Sequence, residues 1–208
     1  MLENVSKRYG DVDSLTDVSL EVRPGELLVI TGASGAGKTT LLGILGLMDD
    51  PDAGDYHLNG RLVAGLADAE RARIRNQQFG FVFQQYALLP NLNVWQNVAR
   101  PLDYAGVSKR ERKARALAFL NDSGLAHLAM RRPAQLSGGE QQRVAIARAM
   151  INGPAVILAD EPTGNLPSEQ WQPIVDEFER LQALGRTIIV VTHDDAVMDR
   201  ANRVLVLD

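Results

Sequence analysis

The chain contains no cysteine, so neither a disulfide framework nor a cysteine-ligated zinc site is open to it. Its three histidines, His57, His127 and His193, lie far apart. No apolar run approaches the roughly 18 residues of a membrane-spanning helix; the most apolar stretch, LLGILGLM at 41–48, is short and broken by glycines. The opening MLENVSKRYG lacks the apolar middle of a signal peptide, and the chain is expected to stay in the cytoplasm. Positive charge is not in excess either: 22 Lys and Arg stand against 26 Asp and Glu, a net charge of −4. That balance offers no global basic footprint, so no nucleic-acid partner is expected.

What remains, 45% apolar and 23% charged among 208 residues, is ordinary globular composition, enough for one sizeable core with a smaller lobe. Val18, Leu20 and Val22 alternate in DVSLEV, as in a half-buried strand, and Pro24 with Gly25 marks a turn. LLVIT (27–31), DYHLN (55–59) and FGFVF (79–83) are further strand candidates. From about 85 to 152 the pattern turns helical, through NVWQNVARPL, KRERKARALAFL and a helix beginning near Gly138. Then come AVILAD (155–160), a helix over 168–184, TIIVVT (187–192) and RVLVL (203–207). Fully apolar strands alternating with helices predict an α/β chain whose parallel sheet is covered on both faces.

Between LLVIT and the helical run KTTLLGILGL lies GASGAGKTT, residues 32–40. Gly32, Gly35 and Gly37 permit a tight turn whose N–H groups point inward, and the helix that follows adds the positive end of its dipole. This is a P-loop in the strand–turn–helix context it needs. Backbone groups of Ala33, Ser34, Gly35, Ala36 and Thr40 would surround the phosphates of ATP. Lys38 is placed to reach the terminal phosphates and the Thr39 hydroxyl to ligate Mg²⁺. Downstream, AVILADE delivers Asp160 and Glu161 to the C-terminal end of a buried strand, the edge where ligands collect in an open parallel sheet. Asp160 is the acidic partner of Thr39 for the metal, and Glu161 is placed to orient or deprotonate water.

Residues 136–143 read LSGGEQQR. Ser137 and Glu140 form a capping box, and Gly138 with Gly139 leaves bare N–H groups at the helix start. This segment resembles the signature motif of ATP-binding cassette (ABC) ATPases, and the resemblance runs over essentially the whole chain in the family's usual order. It implies a P-loop NTPase core with a mixed β-sheet, an N-terminal antiparallel β subdomain and an inserted α-helical subdomain. By that resemblance residues 1–84 and 153–208 are the nucleotide-binding core and residues 85–152 the helical subdomain. The signature helix, with Ser137, Gly138, Gly139 and Glu140, then faces the triphosphate bound by a second copy, closing a head-to-tail homodimer over two ATP molecules. The resemblance further places Gln84 as the glutamine contacting Mg²⁺ and the attacking water, His193 as the switch histidine at the γ-phosphate, and Tyr9 as the aromatic residue that stacks on adenine.

Two departures from the family's pattern matter. GNLP carries Pro167 where the family usually has an aspartate, removing a carboxylate and a backbone donor from a loop that couples facing sites; Ala36, where serine is common, matters less because backbone N–H groups hold the phosphates. His57 and His127 match no motif and are read as surface or packing residues. The basic run from Lys109 to Arg115 is read as a solvated helix face, packed through Ala114, Leu117, Ala118 and Leu120. Trp95, just after Gln84, is either plain core or part of the groove that in the family's transporters receives a membrane subunit. The segments 45–60, 75–98 and 159–166 look most like the lipoprotein-release, macrolide- or peptide-export and FtsE-type subgroup. The resemblance implies an ATP-hydrolysing subunit that powers an integral-membrane partner from the cytoplasmic face. The alternative is a cassette that transports nothing and acts as a mechanical switch on a membrane partner. The chain ends at Asp208, soon after the last strand, so no C-terminal regulatory domain is expected.

Overall fold

The computed structural model describes residues 1–208. Two strands, β1 (Leu2–Tyr9) and β2 (Val12–Leu20), pair antiparallel. Next, β3 (Leu27–Gly32) buries Leu27, Leu28, Val29 and Ile30 in succession, as a strand with neighbours on both edges and both faces does. α1 (Lys38–Leu45) follows, and β4 (Ala53–Leu58) with β5 (Arg61–Leu62) extends the antiparallel sheet in the order β2-β1-β4-β5. α2 (Asp68–Gln78) leads into β6 (Phe79–Val82). Four helices come next: α3 (Val94–Val98), α4 (Arg100–Tyr104), α5 (Lys109–Asp122) and α6 (Gly138–Met150). The chain closes with β7 (Val156–Asp160), α7 (Gln172–Ala183), β8 (Thr187–Val191), α8 (Asp195–Met198) and β9 (Arg203–Leu207).

The second sheet is wholly parallel, in the order β6-β7-β8-β3-β9. The expected mixed sheet is therefore a parallel core beside an antiparallel N-terminal sheet. Period-two alternation divides the parallel sheet between two apolar clusters. Leu28, Ile30, Leu158 and Ile189 face α1 and the antiparallel sheet, whereas Leu27, Val29, Ile157 and Val190 face α6 and α7. A third cluster joins α3, α5 and α6 through Val94, Val98, Ala116, Leu120 and Val144. No helix is long and apolar enough to cross a membrane.

Two local expectations are corrected. α5 packs through Leu117 and Leu120 as expected, together with Ala116, but Ala114 and Ala118 are exposed, because the face that meets the third cluster is centred on Ala116 and Leu120. The predicted helix over 168–184 is split: a 3₁₀ turn covers Ser168–Gln170, and α7 starts only at Gln172. Pro173 in the first turn of α7 suits a helix start and not a helix interior.

Candidate active site

The parallel order sets the C-terminal ends of β7, β8 and β3 side by side. The loop after β3 runs over residues 33–37, and two glycines in this region are sterically required. Gly32 has φ 147 and a Cβ there would stand 2.1 Å from the Leu207 carbonyl oxygen; Gly37, the N-cap of α1, has φ 86 and a Cβ would stand 2.2 Å from that of Ser14. Lys38 folds back across the loop, its Nζ donating to the carbonyls of Gly32 (2.8 Å) and Ala33 (2.7 Å). Its ammonium thus sits across the loop of residues 33–37, in which the Ala36 N–H donates back to the Ala33 carbonyl at 3.2 Å.

Opposite, Asp160 ends β7, and its Oδ2 lies 3.5 Å from the Thr39 hydroxyl. Burial, reinforced by the adjacent Glu161 charge, pushes the Asp160 carboxyl above its ordinary range. Ionising it therefore costs free energy that a bound cation offsets. One carboxylate, one hydroxyl and the oxygens of a phosphate chain are the donor set Mg²⁺ takes, so the residues fit that ion.

Glu161 is held from three sides. Its backbone adopts φ 42, a left-handed conformation rare for a non-glycine residue, and its N–H donates to the Val191 carbonyl at 2.8 Å. Its Oε2 accepts from the hydroxyl of Thr192 (3.1 Å), while Oε1 lies 2.9 Å from His193 Nδ1. This contact sets the Nδ1 edge of the imidazole against the carboxylate, the donor being decided by the histidine tautomer. The His193 side chain is 81% exposed and that of Glu161 18%, which leaves the imidazole's other edge facing outward. Gln84 lies near by: a Cβ built on Gly164 would stand 3.1 Å from its Nε2 and 3.4 Å from Glu161 Cβ.

The structure therefore gathers Lys38, Thr39, Asp160, Glu161, His193 and Gln84 along one sheet edge. Ser137, Gly138, Gly139 and Glu140 form the predicted capping box at the start of α6, but no hydrogen bond joins them to the loop. Their neighbours are Tyr86, Leu166 and Gln170. Tyr9 ends β1, about half exposed, with its hydroxyl bonded to Asp49. Ser14 Oγ meets Thr40 Oγ1 at 2.8 Å, pinning β2 to α1.

Three positioning contacts escape sequence reasoning. Thr192 is fully buried against Glu161; as the last letter of an apolar strand it carried no signal beyond its place before His193. Asn165 Nδ2 donates to the Gln84 carbonyl at 2.7 Å, tying the segment after Glu161 to the one after β6. Arg148, in the last turn of α6, donates to the carbonyls of Tyr86 (2.8 Å) and Ala87, both residues in left-handed backbone. Elsewhere, Trp95 is half-buried against the third cluster with Lys113 over its ring. In the basic run Arg112 pairs with Asp103 and Arg115 with Glu111. His127 is exposed and His57 half-buried, neither near the site.

Comparison with known proteins agrees with this geometry. The ABC transporter family profile matches residues 15–164. The macrolide export ATP-binding/permease protein MacB of Burkholderia pseudomallei (strain 1710b) is 49% identical over 208 residues, 98% of this chain but 32% of that protein. The chain thus spans about a third of that relative's length. The ABC transporter ATP-binding protein YknY of Bacillus subtilis (strain 168) is 45% identical over 99% of this chain and 91% of its own. Among solved structures, the ATP-binding cassette MJ0796, described as dimeric, in a post-hydrolysis state and bound to ADP and Pi, superposes with a TM-score of 0.90. It is 40% identical over 100% of this chain and 93% of that one. With its loop 32–40, its Asp160–Glu161 pair and its capped LSGGEQQR helix on this fold, the chain belongs to the ABC transporter family and carries that family's P-loop ATPase fold.

Proposed function

We propose that this chain binds Mg·ATP, hydrolyses it to ADP and phosphate as a head-to-tail homodimer, and powers an integral-membrane partner from the cytoplasmic face. The observation that carries the reading is the clamp on Glu161. Thr192 and His193 hold both carboxylate oxygens beside Asp160, across from Lys38 and Thr39. In that position Glu161 accepts a proton from water as the water oxygen bonds to the γ-phosphorus. The bond from that phosphorus to the bridging oxygen breaks, and ADP leaves with the electron pair. Lys38 and the loop N–H groups hold the phosphates, His193 supports Glu161, and Gln84 orients the water. Thr39, Asp160 and Gln84 would hold Mg²⁺, which when bound neutralises charge on the phosphate oxygens.

The signature residues support a dimer because they do not touch their own chain's loop; a second copy's triphosphate is the natural acceptor for their N–H groups. The helical stretch 85–152 then acts as a lobe swinging on the core of 1–84 and 153–208. MacB's name joins cassette to permease, which favours a membrane partner of the export type. The test is turnover against protein concentration: the rate per chain should rise with concentration and with cooperative dependence on ATP. Absence of hydrolysis, or a rate per chain that is flat across the range, overturns it. For the partner, an integral-membrane protein should co-purify from detergent-solubilised membranes.

Pro167 gives a separate prediction. It occupies the N-cap of the Ser168–Gln170 turn with φ −57 and ψ 146 and supplies no side-chain cap. Aspartate fits that backbone and adds a cap of about 0.5–2 kcal/mol, offset by about 0.4–1 kcal/mol of unfolded-chain restriction lost with the proline. Pro167→Asp should therefore change stability by about 1 kcal/mol at most and raise the dimeric ATPase rate or its cooperativity. Thermal melting reads the first effect and steady-state kinetics the second; unchanged rate and cooperativity would make the departure neutral.

A further inference from the structure

Lys7 and Tyr9 lie two residues apart on β1, so their side chains share one face of the sheet. The Lys7 ammonium is fixed by three oxygens of the segment beyond α1: the Asp50 carbonyl at 2.7 Å and the Asp49 and Asp52 carboxylates at 3.1 Å each. Its side chain is only 11% exposed. From there it stands over the Tyr9 ring, 5.4 Å from the centroid. The Tyr9 hydroxyl bonds to the other oxygen of the same Asp49 carboxylate. The ring is thus tethered at its edge and backed on one face, yet remains 49% exposed.

An unbraced tyrosine loses rotamer freedom when a base stacks on it, at a cost of about 0.5–1.5 kcal/mol for each immobilised side chain. A ring already fixed has little left to lose. We propose that Lys7 and Asp49 are positioning residues that hold Tyr9 as a one-faced platform for a nucleobase, Asp49 by accepting the phenol hydrogen bond and Lys7 by backing the ring on the side away from the base. The proposal deepens the ATP-binding reading and rests on it. α1 runs from the phosphate loop toward Asp49, so one helix sets both the phosphate end of the site and the brace of the base end. A platform of this kind reads the π-face of a base and not its edges. It therefore acts on ATP and leaves inorganic tripolyphosphate, which has no base, unaffected.

The experiment measures KM and kcat for ATP together with the inhibition constant of tripolyphosphate. Asp49→Ala and Lys7→Met are each expected to raise KM about three- to tenfold, with kcat within about twofold and tripolyphosphate inhibition unchanged. Tyr9→Phe, which removes only the hydroxyl, should raise KM by no more than Asp49→Ala, which also frees Lys7. In a Tyr9→Leu background Asp49→Ala should add nothing, because the ring it positions is gone. The proposal is overturned by an unchanged KM, by an equal rise in the Tyr9→Leu background, or by a parallel weakening of tripolyphosphate, which would mean that the phosphate loop itself had loosened. If the unmodified chain bound neither ATP nor tripolyphosphate, the ATP-binding reading would fall instead.

Discussion

Glu161→Gln is expected to bind ATP and not release it as ADP, with kcat lower by about 10²–10⁴-fold, the range that a lost general base produces. In free energy that is roughly 3–5 kcal/mol of transition-state stabilisation. The substitution keeps the shape of the side chain and its place between Thr192 and His193, but an amide cannot take the proton of the attacking water. Bound ATP then persists, and an ATP-loaded dimer should accumulate on size exclusion. The left-handed backbone at Glu161 costs of order 1–3 kcal/mol and is retained in the variant, so the melting temperature should hardly move. Turnover at the unmodified rate would remove Glu161 from the chemistry altogether.

Lys38→Ala is expected to lose productive binding. Charge-assisted hydrogen bonds contribute about 1.5–3 kcal/mol each, so a fluorescent ATP analogue should bind roughly 10–100-fold more weakly. A further loss of about 10²–10³-fold in kcat follows from removing a donor aimed at developing charge. Lys38→Arg should not rescue, since a planar guanidinium cannot occupy the point between the Gly32 and Ala33 carbonyls that the ammonium fills at 2.8 and 2.7 Å. Affinity and turnover equal to the unmodified chain would move the phosphate site away from residues 32–40.

The central strands β3, β7 and β8 were legible because each is a nearly unbroken apolar run, the form a strand takes when both its faces are covered, whereas the edge strand β9 leaves Val204 and Val206 exposed despite its apolar sequence. The first strand was not legible. In β1 only Leu2, Val5 and few neighbours turn inward, and register shifts around the left-handed Asn4 break the period-two pattern. α2 escaped for the opposite reason: Ile74 is its single buried residue, so no apolar stripe announces it. The site motifs were readable because contiguous residues carry them. Thr192, Asn165 and Arg148 were not, since each acts on a partner 31, 81 or 61 and 62 positions away.

By itself the sequence determined the phosphate loop, the carboxylate pair and the capped signature helix, because local backbone chemistry needs those residue types at those spacings. Only the tertiary structure decided what surrounds them. The order β7-β8-β3 set Thr192 and His193 against Glu161, and the end of α1 brought Asp49 to Tyr9. It also left the signature helix beside Gln170, unconnected to its own loop. The reason is physical: hydrogen bonds between side chains distant in the chain depend on how sheets and helices stack, and stacking is settled by burial over the whole molecule.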